Sequence, residues 1–142
     1  MRWTSLWGLA LGAVLAGAAI PADAIETQTL LSTDHTIVGE HVVYPAGPAK
    51  VTAIIATFAP GEATGWHTHG VPEVGYILEG ELTVDYGEKG TRVYRAGDTV
   101  MEAIYAAHKG TNTGSTPARV LVVYMGVEGK PTSVPAADPN QK

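Results

Sequence analysis

The sequence contains no cysteine among its 142 residues. This absence excludes disulfide bonds, thiolate metal sites and cysteine nucleophiles together. Basic residues are also few and scattered, since nine Lys and Arg stand against 14 Asp and Glu and the net charge is −5. Because no Lys/Arg cluster is present, nucleic acid is not an expected partner. The 45% hydrophobic content is enough to build a core, so the sequence is that of a globular protein.

The sequence has only one long apolar run, and that run lies at the N-terminus. Arg2 precedes an uncharged, largely apolar stretch at 3–20, and Pro21 and the tripeptide Ala-Asp-Ala at 22–24 follow it. This order predicts a secretory signal peptide, residues 1–24, that is cleaved after Ala24. The alternative is an uncleaved anchor, because about 18 apolar residues can just cross a bilayer. Cleavage would give a periplasmic or secreted protein with no stable membrane insertion.

Helix-length periodicity is also lacking in the rest of the sequence. Short segments rich in Val, Ile, Thr and Tyr alternate instead with Gly, Pro and Asp, which predicts an all-β chain. The predicted strands are 36–38, 41–44, 51–58, 75–79, 81–86, 91–95, 99–102 and 118–127. Many short strands with regular turn signals predict one domain, either a closed β-barrel or a two-sheet jelly roll. The run 120–125 is apolar on both faces, which predicts a strand buried on both sides.

The mature chain divides into three parts by composition. Residues 25–50 are expected to form an N-terminal arm or edge strands, and residues 51–128 are expected to form the barrel. Residues 129–142 hold three prolines and no periodicity, which predicts a flexible C-terminal tail or a strap along the surface. A homodimer is expected, with residues 25–44 as the exchanged or edge-covering element, because pairing hides exposed strand edges.

Four side chains have the types and spacing of a metal site. His67 and His69 are two residues apart, and on a strand such residues point to the same face. Gly70, Val71 and Pro72 then turn the chain, so Glu73 can direct a carboxylate to the same point, and His108 can supply a third imidazole. This donor set suits one divalent ion, such as Fe, Mn, Ni, Cu or Zn, and leaves coordination positions open. Metal affinity should fall as the pH drops through about 6.5, the reference pKa of imidazole, with a slope steeper than one proton per metal because three histidines must be neutral.

The same stretch resembles the cupin superfamily. The first cupin motif is matched at every defined position, by Gly61, His67, His69, Glu73 and Gly80. The second motif is matched in spacing by Gly97, Asp98, His108 and Asn112. Two positions depart from it, because Ala103 and Tyr105 stand where the family usually has Pro and Gly, and a different loop path is expected there. The resemblance covers about residues 51–127 and implies a small jelly-roll β-barrel with His67, His69, Glu73 and His108 as ligands.

The resemblance leaves the activity open, because the family includes both enzymes and binders. The leading hypothesis is an exported metal-dependent enzyme that acts on a small organic molecule, with a dioxygenase as one form of it. The alternatives are a non-catalytic exported binder of a metal or small ligand, and a barrel whose metal only stabilises the fold. Glu102 and Tyr105 are the candidate catalytic residues, as a base or a hydrogen-bond donor at the cavity.

Several other polar or aromatic residues have a simpler interpretation. His35 and His41 lie outside the motifs and are expected to be surface or packing residues. Trp66 is expected in the core or at a dimer contact, Tyr76 is expected to pack at the barrel mouth, and Asn112 is expected to stabilise a turn. The glycines of the motifs are expected to be turn residues.

Overall fold

The computed structural model describes residues 25–141, and the predicted signal peptide lies outside them. Among these residues, no helix is long and apolar enough to cross a membrane. Nearly all regular structure is β. The strands are β1 (Ala49–Phe58), β2 (His67–Thr68), β3 (Glu73–Glu79), β4 (Glu81–Asp85), β5 (Thr91–Arg95), β6 (Thr99–Met101), β7 (Lys109–Thr111), β8 (Ala118–Val127) and β9 (Val134–Pro135).

The strands form three antiparallel sheets. A four-stranded sheet has the order β1-β8-β3-β6, a three-stranded sheet has the order β5-β4-β7, and β2 pairs with β9. Among the described residues β1 pairs only with β8 and remains an edge, so the strands do not close into a hydrogen-bonded barrel. Of the two predicted architectures, the two-sheet jelly roll is the one that fits. The all-β class is confirmed, and packing joins the sheets where backbone pairing does not.

The hydrophobic core lies between the two larger sheets. Both sheets direct alternate side chains into it, as a half-buried strand does. Its buried members are Ile77, Leu82, Val84, Tyr86, Tyr94, Val100, Ala103, Val120 and Val122. In β8, Val120 and Val122 are buried and the intervening Leu121 is only half-buried. The expectation that this strand is buried on both sides is therefore wrong, since one of its faces forms the outside of the sheet.

The glycine between β3 and β4 shows why the hairpin has its tight turn. Gly80 has a φ of +74°, a conformation that side chains rarely adopt. A Cβ at this position would also lie 2.6 Å from the carbonyl oxygen of Pro117. The turn therefore needs glycine for its backbone angle and for its close approach to the chain before β8.

Most predicted strands are confirmed to within two residues at each end, and 91–95 and 118–127 are reproduced without change. The strands predicted at 36–38 and 41–44 are wrong. This part of the chain forms a turn, closed by a single antiparallel bridge between His35 and His41. The strands β2, β7 and β9 were missed because each has only two or three residues.

The C-terminal segment was predicted to be either a free tail or a strap along the surface. It forms a strap, because its strand β9 pairs with β2. His67 and Thr68 of β2 pair with Pro135 and Val134 of β9. The backbone N–H of Ala136 also donates to the carbonyl oxygen of Trp66, at 2.9 Å. These contacts bring the segment around residue 132 next to the predicted metal ligands.

Candidate metal centre

Backbone pairing places His67 opposite His108. The two residues form an isolated antiparallel bridge and exchange both hydrogen bonds, at 3.0 Å and 2.9 Å from nitrogen to oxygen. His69 lies two residues beyond His67, and its N–H donates to the carbonyl oxygen of Ile104 at 2.8 Å. Three imidazoles from distant parts of the sequence are thus fixed beside one another by main-chain contacts.

Each of these imidazoles also has its Nδ1 atom beside a backbone carbonyl oxygen. The pairs are His67 with Gly65 at 2.9 Å, His69 with Thr132 at 2.8 Å, and His108 with Ala106 at 2.9 Å. Because a carbonyl oxygen can only accept, Nδ1 must carry the proton in all three rings. The neutral tautomer then leaves Nε2 with a free lone pair, and this arrangement is typical of metal-ligating histidines.

The free ring nitrogens converge on one point. One ligand atom from each of His67, His69 and His108 lies within 4.8 Å of those of the other two. Nε2 of His69 and Nε2 of His108 are only 3.1 Å apart. Two unprotonated lone pairs at that distance repel each other, so the geometry calls for a cation or a proton between them. The three histidines therefore fit a divalent metal ion.

Glu73 reaches this cluster through His69. Its Oε2 atom lies 2.8 Å from Nε2 of His69, and the carboxylate is almost completely buried. This contact lacks the geometry of a hydrogen bond, and Oε2 has no hydrogen-bond partner among the described residues. A buried carboxylate oxygen without such a partner is costly unless a cation compensates it. The orphaned oxygen is therefore the position from which a fourth ligand atom would come.

The protonation preferences of the three histidines differ because their surroundings differ. Burial lowers the pKa of His67 and lowers that of His108 to about 4. Burial also acts to lower the pKa of His69, but the close contact with the Glu73 carboxylate and its negative charge outweigh that effect, so the net shift is upward. In the metal-free protein, His69 therefore holds an additional proton more readily than His67 or His108 does. That proton would have to leave when a metal ion binds.

Glu102 is a second buried carboxylate at the same cavity. It is 6% exposed, and its Oε1 atom accepts a hydrogen bond from the N–H of Ala103 at 2.7 Å. Burial raises the pKa of Glu102 to about 7. Near neutral pH this carboxyl can therefore either hold or release a proton, as a general acid or base must.

Two tyrosines extend the polar network behind Glu102. The hydroxyl groups of Tyr86 and Tyr94 are 3.0 Å apart in the core. Burial raises the pKa of both, to about 12 for Tyr94, so both stay neutral. The sequence did not indicate this pair, because tyrosines in strands are normally read as packing residues.

The cavity beside the histidines has a volume of about 120 Å³ and largely apolar walls. Apolar side chains from both larger sheets line it, together with Tyr124, whose ring centre is 5.8 Å from that of His69. Among its lining residues there is no Lys or Arg. Charge at this cavity is therefore confined to the histidine cluster, Glu73 and Glu102.

A glutamate outside both motifs holds the loop that leads to His108. The carboxylate of Glu40 accepts hydrogen bonds from the backbone N–H groups of Ile104, Tyr105 and Ala106, at 2.6, 3.0 and 2.8 Å. These are the residues around the departure from the second cupin motif. The path of this loop is therefore held by an acidic side chain from the N-terminal segment. Nothing in the sequence near Glu40 indicated this role.

This loop geometry directs Tyr105 away from the cavity. Its backbone N–H faces Glu40, its side chain is 70% exposed, and it does not line the cavity. The structure thus brings Glu102 to the histidine cluster and does not bring Tyr105 there. Tyr76 is also absent from the cavity wall, because Glu73, Gly75 and Ile77 face inward on β3.

The remaining sequence expectations concern Trp66 and Asn112. Trp66 lies outside the hydrophobic core, at an outer pocket that Ser133 and Pro135 of the C-terminal segment also line. Nζ of Lys109 lies 5.3 Å from the centre of its ring. Asn112 is fully buried. Its Nδ2 donates to the carbonyl oxygens of Phe58 and Thr116, and its Oδ1 accepts from Gly114 N–H. The expected turn-stabilising role of Asn112 is confirmed.

Comparison with known proteins identifies relatives of this arrangement. A family model described as "Cupin domain" matches residues 54–124, which is half of the chain. No curated protein matches the sequence. Among solved structures, an oxalate oxidase in complex with the substrate analogue glycolate is 30% identical, with a TM-score of 0.52. That match covers 59% of this chain and 45% of the oxalate oxidase.

Two further structures share the fold. The formate complex of oxalate decarboxylase from Lactobacillus farciminis is 24% identical, with a TM-score of 0.53, over 60% of this chain and 26% of the decarboxylase. A DMSP lyase from Ruegeria pomeroyi is 23% identical, with a TM-score of 0.52, over 61% of this chain and 43% of the lyase. The matches span less than half of each of the three relatives. The family match, the two spaced motifs and the histidine cluster agree, and the chain belongs to the cupin family.

Proposed function

We propose that this protein is an exported, metal-dependent cupin enzyme that acts on a small organic molecule. The observation that carries the proposal is the tautomer arrangement at the histidine cluster. Three Nδ1–H groups are directed to backbone carbonyl oxygens, so three Nε2 lone pairs converge beside the unpartnered oxygen of Glu73. His67, His69, Glu73 and His108 are the proposed ligands of one divalent ion, and Fe, Mn, Ni, Cu and Zn all suit this donor set.

The bound ion would supply Lewis acidity or redox chemistry at positions that the protein leaves open. The protein's own contribution is proton transfer and exclusion of water. Glu102 is the proposed general acid or base, because its pKa of about 7 lets it exchange a proton near neutral pH. Tyr86 and Tyr94 stay neutral behind it. The Tyr86 hydroxyl lies against Glu102 and 3.0 Å from that of Tyr94, so it would keep the buried carboxyl oriented.

The cavity favours a small and mainly neutral substrate. Its volume of about 120 Å³ leaves room for only a few heavy atoms beside the ligands. Its walls are apolar, and no cationic side chain lines it to pair with a carboxylate or phosphate of the substrate. Only a bound metal ion could compensate an anionic group there. An oxygen-dependent reaction, such as that of a dioxygenase, is the form of this proposal that requires a redox metal.

Export is part of the proposal and depends on the N-terminal sequence. The positive start, the apolar run and the Ala-Asp-Ala site support cleavage after Ala24 and a periplasmic or secreted location. N-terminal sequencing of protein from the cell envelope would test this. A chain that begins at Ile25 is expected, and an intact Met1 in the membrane fraction would support the uncleaved anchor.

The catalytic role is tested by the substitution Glu102→Gln in the metal-loaded protein. Small neutral alcohols, aldehydes and ketones, with oxalate as a charged comparison, would be screened by product mass spectrometry and oxygen consumption. We expect turnover of a neutral compound and a loss of about 10²- to 10⁴-fold in the variant, with metal content unchanged. Tyr105→Phe is the matched control, because Tyr105 lies outside the cavity, and it should retain its rate.

A non-catalytic binder is the second candidate, favoured by the largely apolar wall of the cavity. It predicts that compounds bind to the metal-loaded protein without turnover, and that Glu102→Gln changes affinity only. Binding without turnover across the panel, in the parent and in the variant, would contradict the enzyme proposal.

A further inference from the structure

A second group of metal-ligand side chains lies in the N-terminal segment, outside the cavity. Asp34, His35 and His41 each direct one ligand atom to a point where all three atoms lie within 4.8 Å of one another. Nδ1 of His35 is 2.7 Å from Oδ1 of Asp34, and the two imidazole rings are 4.0 Å apart between centres. The side chains of Asp34 and His35 are 86% and 41% exposed, so an ion could reach them from solvent.

The backbone explains why these side chains meet. His35 and His41 face each other across an antiparallel bridge, and such partners hold their Cβ atoms on the same side, about 4.5–5.5 Å apart. The N–H of Val42 donates to the carbonyl oxygen of Asp34 at 2.8 Å. The hydroxyl of Thr33 accepts from the N–H of His35 at 3.1 Å. The three ligand residues are therefore placed by main-chain contacts, as in the barrel.

The turn between the two histidines is held by further contacts. The N–H of Thr36 donates to the carbonyl oxygen of Glu40 at 2.8 Å, and the N–H of Glu40 donates to the hydroxyl of Thr36 at 3.1 Å. The N–H of Ile37 donates to the carbonyl oxygen of Met101 at 2.9 Å, which joins the turn to β6. A turn fixed in this way holds its side chains in place before a ligand binds, and this lowers the entropic cost of binding.

The distances are compatible with ligands of one ion. Zinc–nitrogen and zinc–oxygen bonds are about 2.0–2.2 Å, so two neighbouring ligands in one coordination sphere stand about 3 Å apart. The Asp34–His35 contact is close to that separation. Two imidazole nitrogens and one carboxylate oxygen form a donor set for borderline ions such as Zn²⁺, Ni²⁺ and Cu²⁺.

We propose that Asp34, His35 and His41 form a second divalent metal site, on the surface and separate from the cupin site. It has three protein ligands, so solvent completes the coordination. Its affinity is lower than that of the cupin site, because it offers fewer ligands and its carboxylate is already well solvated. The proposal does not depend on catalysis in the barrel, and its failure would leave the proposed function unaffected.

The experiment is a Zn²⁺ titration of the mature protein by equilibrium dialysis with metal analysis. The parent is expected to bind two Zn²⁺ per chain, one tightly and one more weakly. The double variant His35→Ala, His41→Ala should lose the weaker ion and keep the tight one. Asp34→Asn removes the charge of a proposed ligand, so it should weaken that ion by at least the roughly 10- to 100-fold that loss of an outer-shell partner costs. Asp138→Asn, the same change at a half-buried carboxylate in the C-terminal segment, is the matched control and should keep both ions.

Two results would overturn the proposal. The first is a parent that binds a single Zn²⁺, and the second is a weaker ion that the double variant retains. The tight ion reports whether the double variant is folded, because it depends on the barrel. If the double variant does not fold, Asp34→Asn and the single variant His41→Gln decide the question, and unchanged affinity of the weaker ion in both would contradict the site.

Discussion

The barrel cluster and the surface cluster contain the same kinds of side chain in different surroundings. In the barrel, His69 and His108 are 5% and 2% exposed, and every Nδ1 atom faces a backbone carbonyl oxygen. On the surface, Nδ1 of His35 faces a carboxylate that is 86% exposed. In the barrel, the backbone carbonyl oxygens therefore fix the tautomers, and burial leaves an uncompensated oxygen on Glu73. The carboxylate of Asp34 is solvated by water, so it needs no cation to compensate its charge. The surface cluster is therefore stable with or without an ion.

The largest expected difference follows from removing one ligand of the barrel cluster. His67→Ala and His108→Ala should each weaken the tight metal by more than about 100-fold, because losing an outer-shell partner alone costs 10- to 100-fold. The surface ion should be unaffected. Metal analysis after dialysis against Zn²⁺ would measure both sites, and full occupancy of the tight site in both variants would refute the ligand assignment.

The pH dependence of metal affinity should show that protons compete with the metal more strongly at His69 than at His67 or His108. Burial lowers the pKa of His67 and lowers that of His108 to about 4, so protons compete less with a metal at these two rings. The pKa of His69 is raised, so its proton must leave on binding. Between pH 8 and 6 the affinity of the tight site should fall with a slope near one proton per metal, steepening only at lower pH. Metal titrations over this range would show it, and a flat affinity would exclude His69 as a ligand.

This slope refines the expectation from the sequence. With three histidines taken as equivalent, competition steeper than one proton per metal was expected through about pH 6.5. The structure makes them unequal, because Glu73 faces His69 and burial dominates at His108.

Glu40 should couple the two clusters, because it lies between His35 and His41 and holds the loop before His108 through three hydrogen bonds. Glu40→Ala should lower the free energy of unfolding by about 1.5–3 kcal/mol, the value of hydrogen bonds to a charged group. It should also weaken both metal sites. Glu26→Ala removes an exposed carboxylate from the same N-terminal segment and serves as the control. Chemical denaturation with Zn²⁺ titration would measure both effects, and a Glu40→Ala variant that matches the control would contradict the coupling.

The smallest expected effect concerns association of two chains. Val51 and Ile55 are 68% and 52% exposed on β1, an edge strand of the four-stranded sheet. Exposed apolar edges favour pairing, so a homodimer is expected, with residues 25–44 as the candidate covering element. Light scattering at micromolar concentration should give twice the chain mass, and Ile55→Lys should shift it toward the monomer. A strictly monomeric parent would refute the dimer.

The strands that the sequence predicted well are rich in β-branched and aromatic residues and are bounded by turn residues. Segments 91–95 and 118–127 have that composition, and the structure reproduces them. The strands that were missed have two or three residues and no pattern of their own. β7 forms because it pairs with β4 of the three-stranded sheet, whereas β2 and β9 pair with each other. Short segments of this kind cannot be read from local composition.

The sequence by itself determined the family, the all-β class and the histidines that can hold a metal, because motif spacing encodes which residues share a strand face. Only the tertiary structure decided which ring nitrogen of each histidine is free to bind a metal ion. The carbonyl oxygens of Gly65, Thr132 and Ala106 fix the ring tautomers, and Thr132 is 63 residues from its histidine. Glu40, likewise, is 64 residues from Ile104, the first residue whose N–H donates a hydrogen bond to its carboxylate. Contacts at such separations depend on how the chain packs, so no local pattern in the sequence could reveal them.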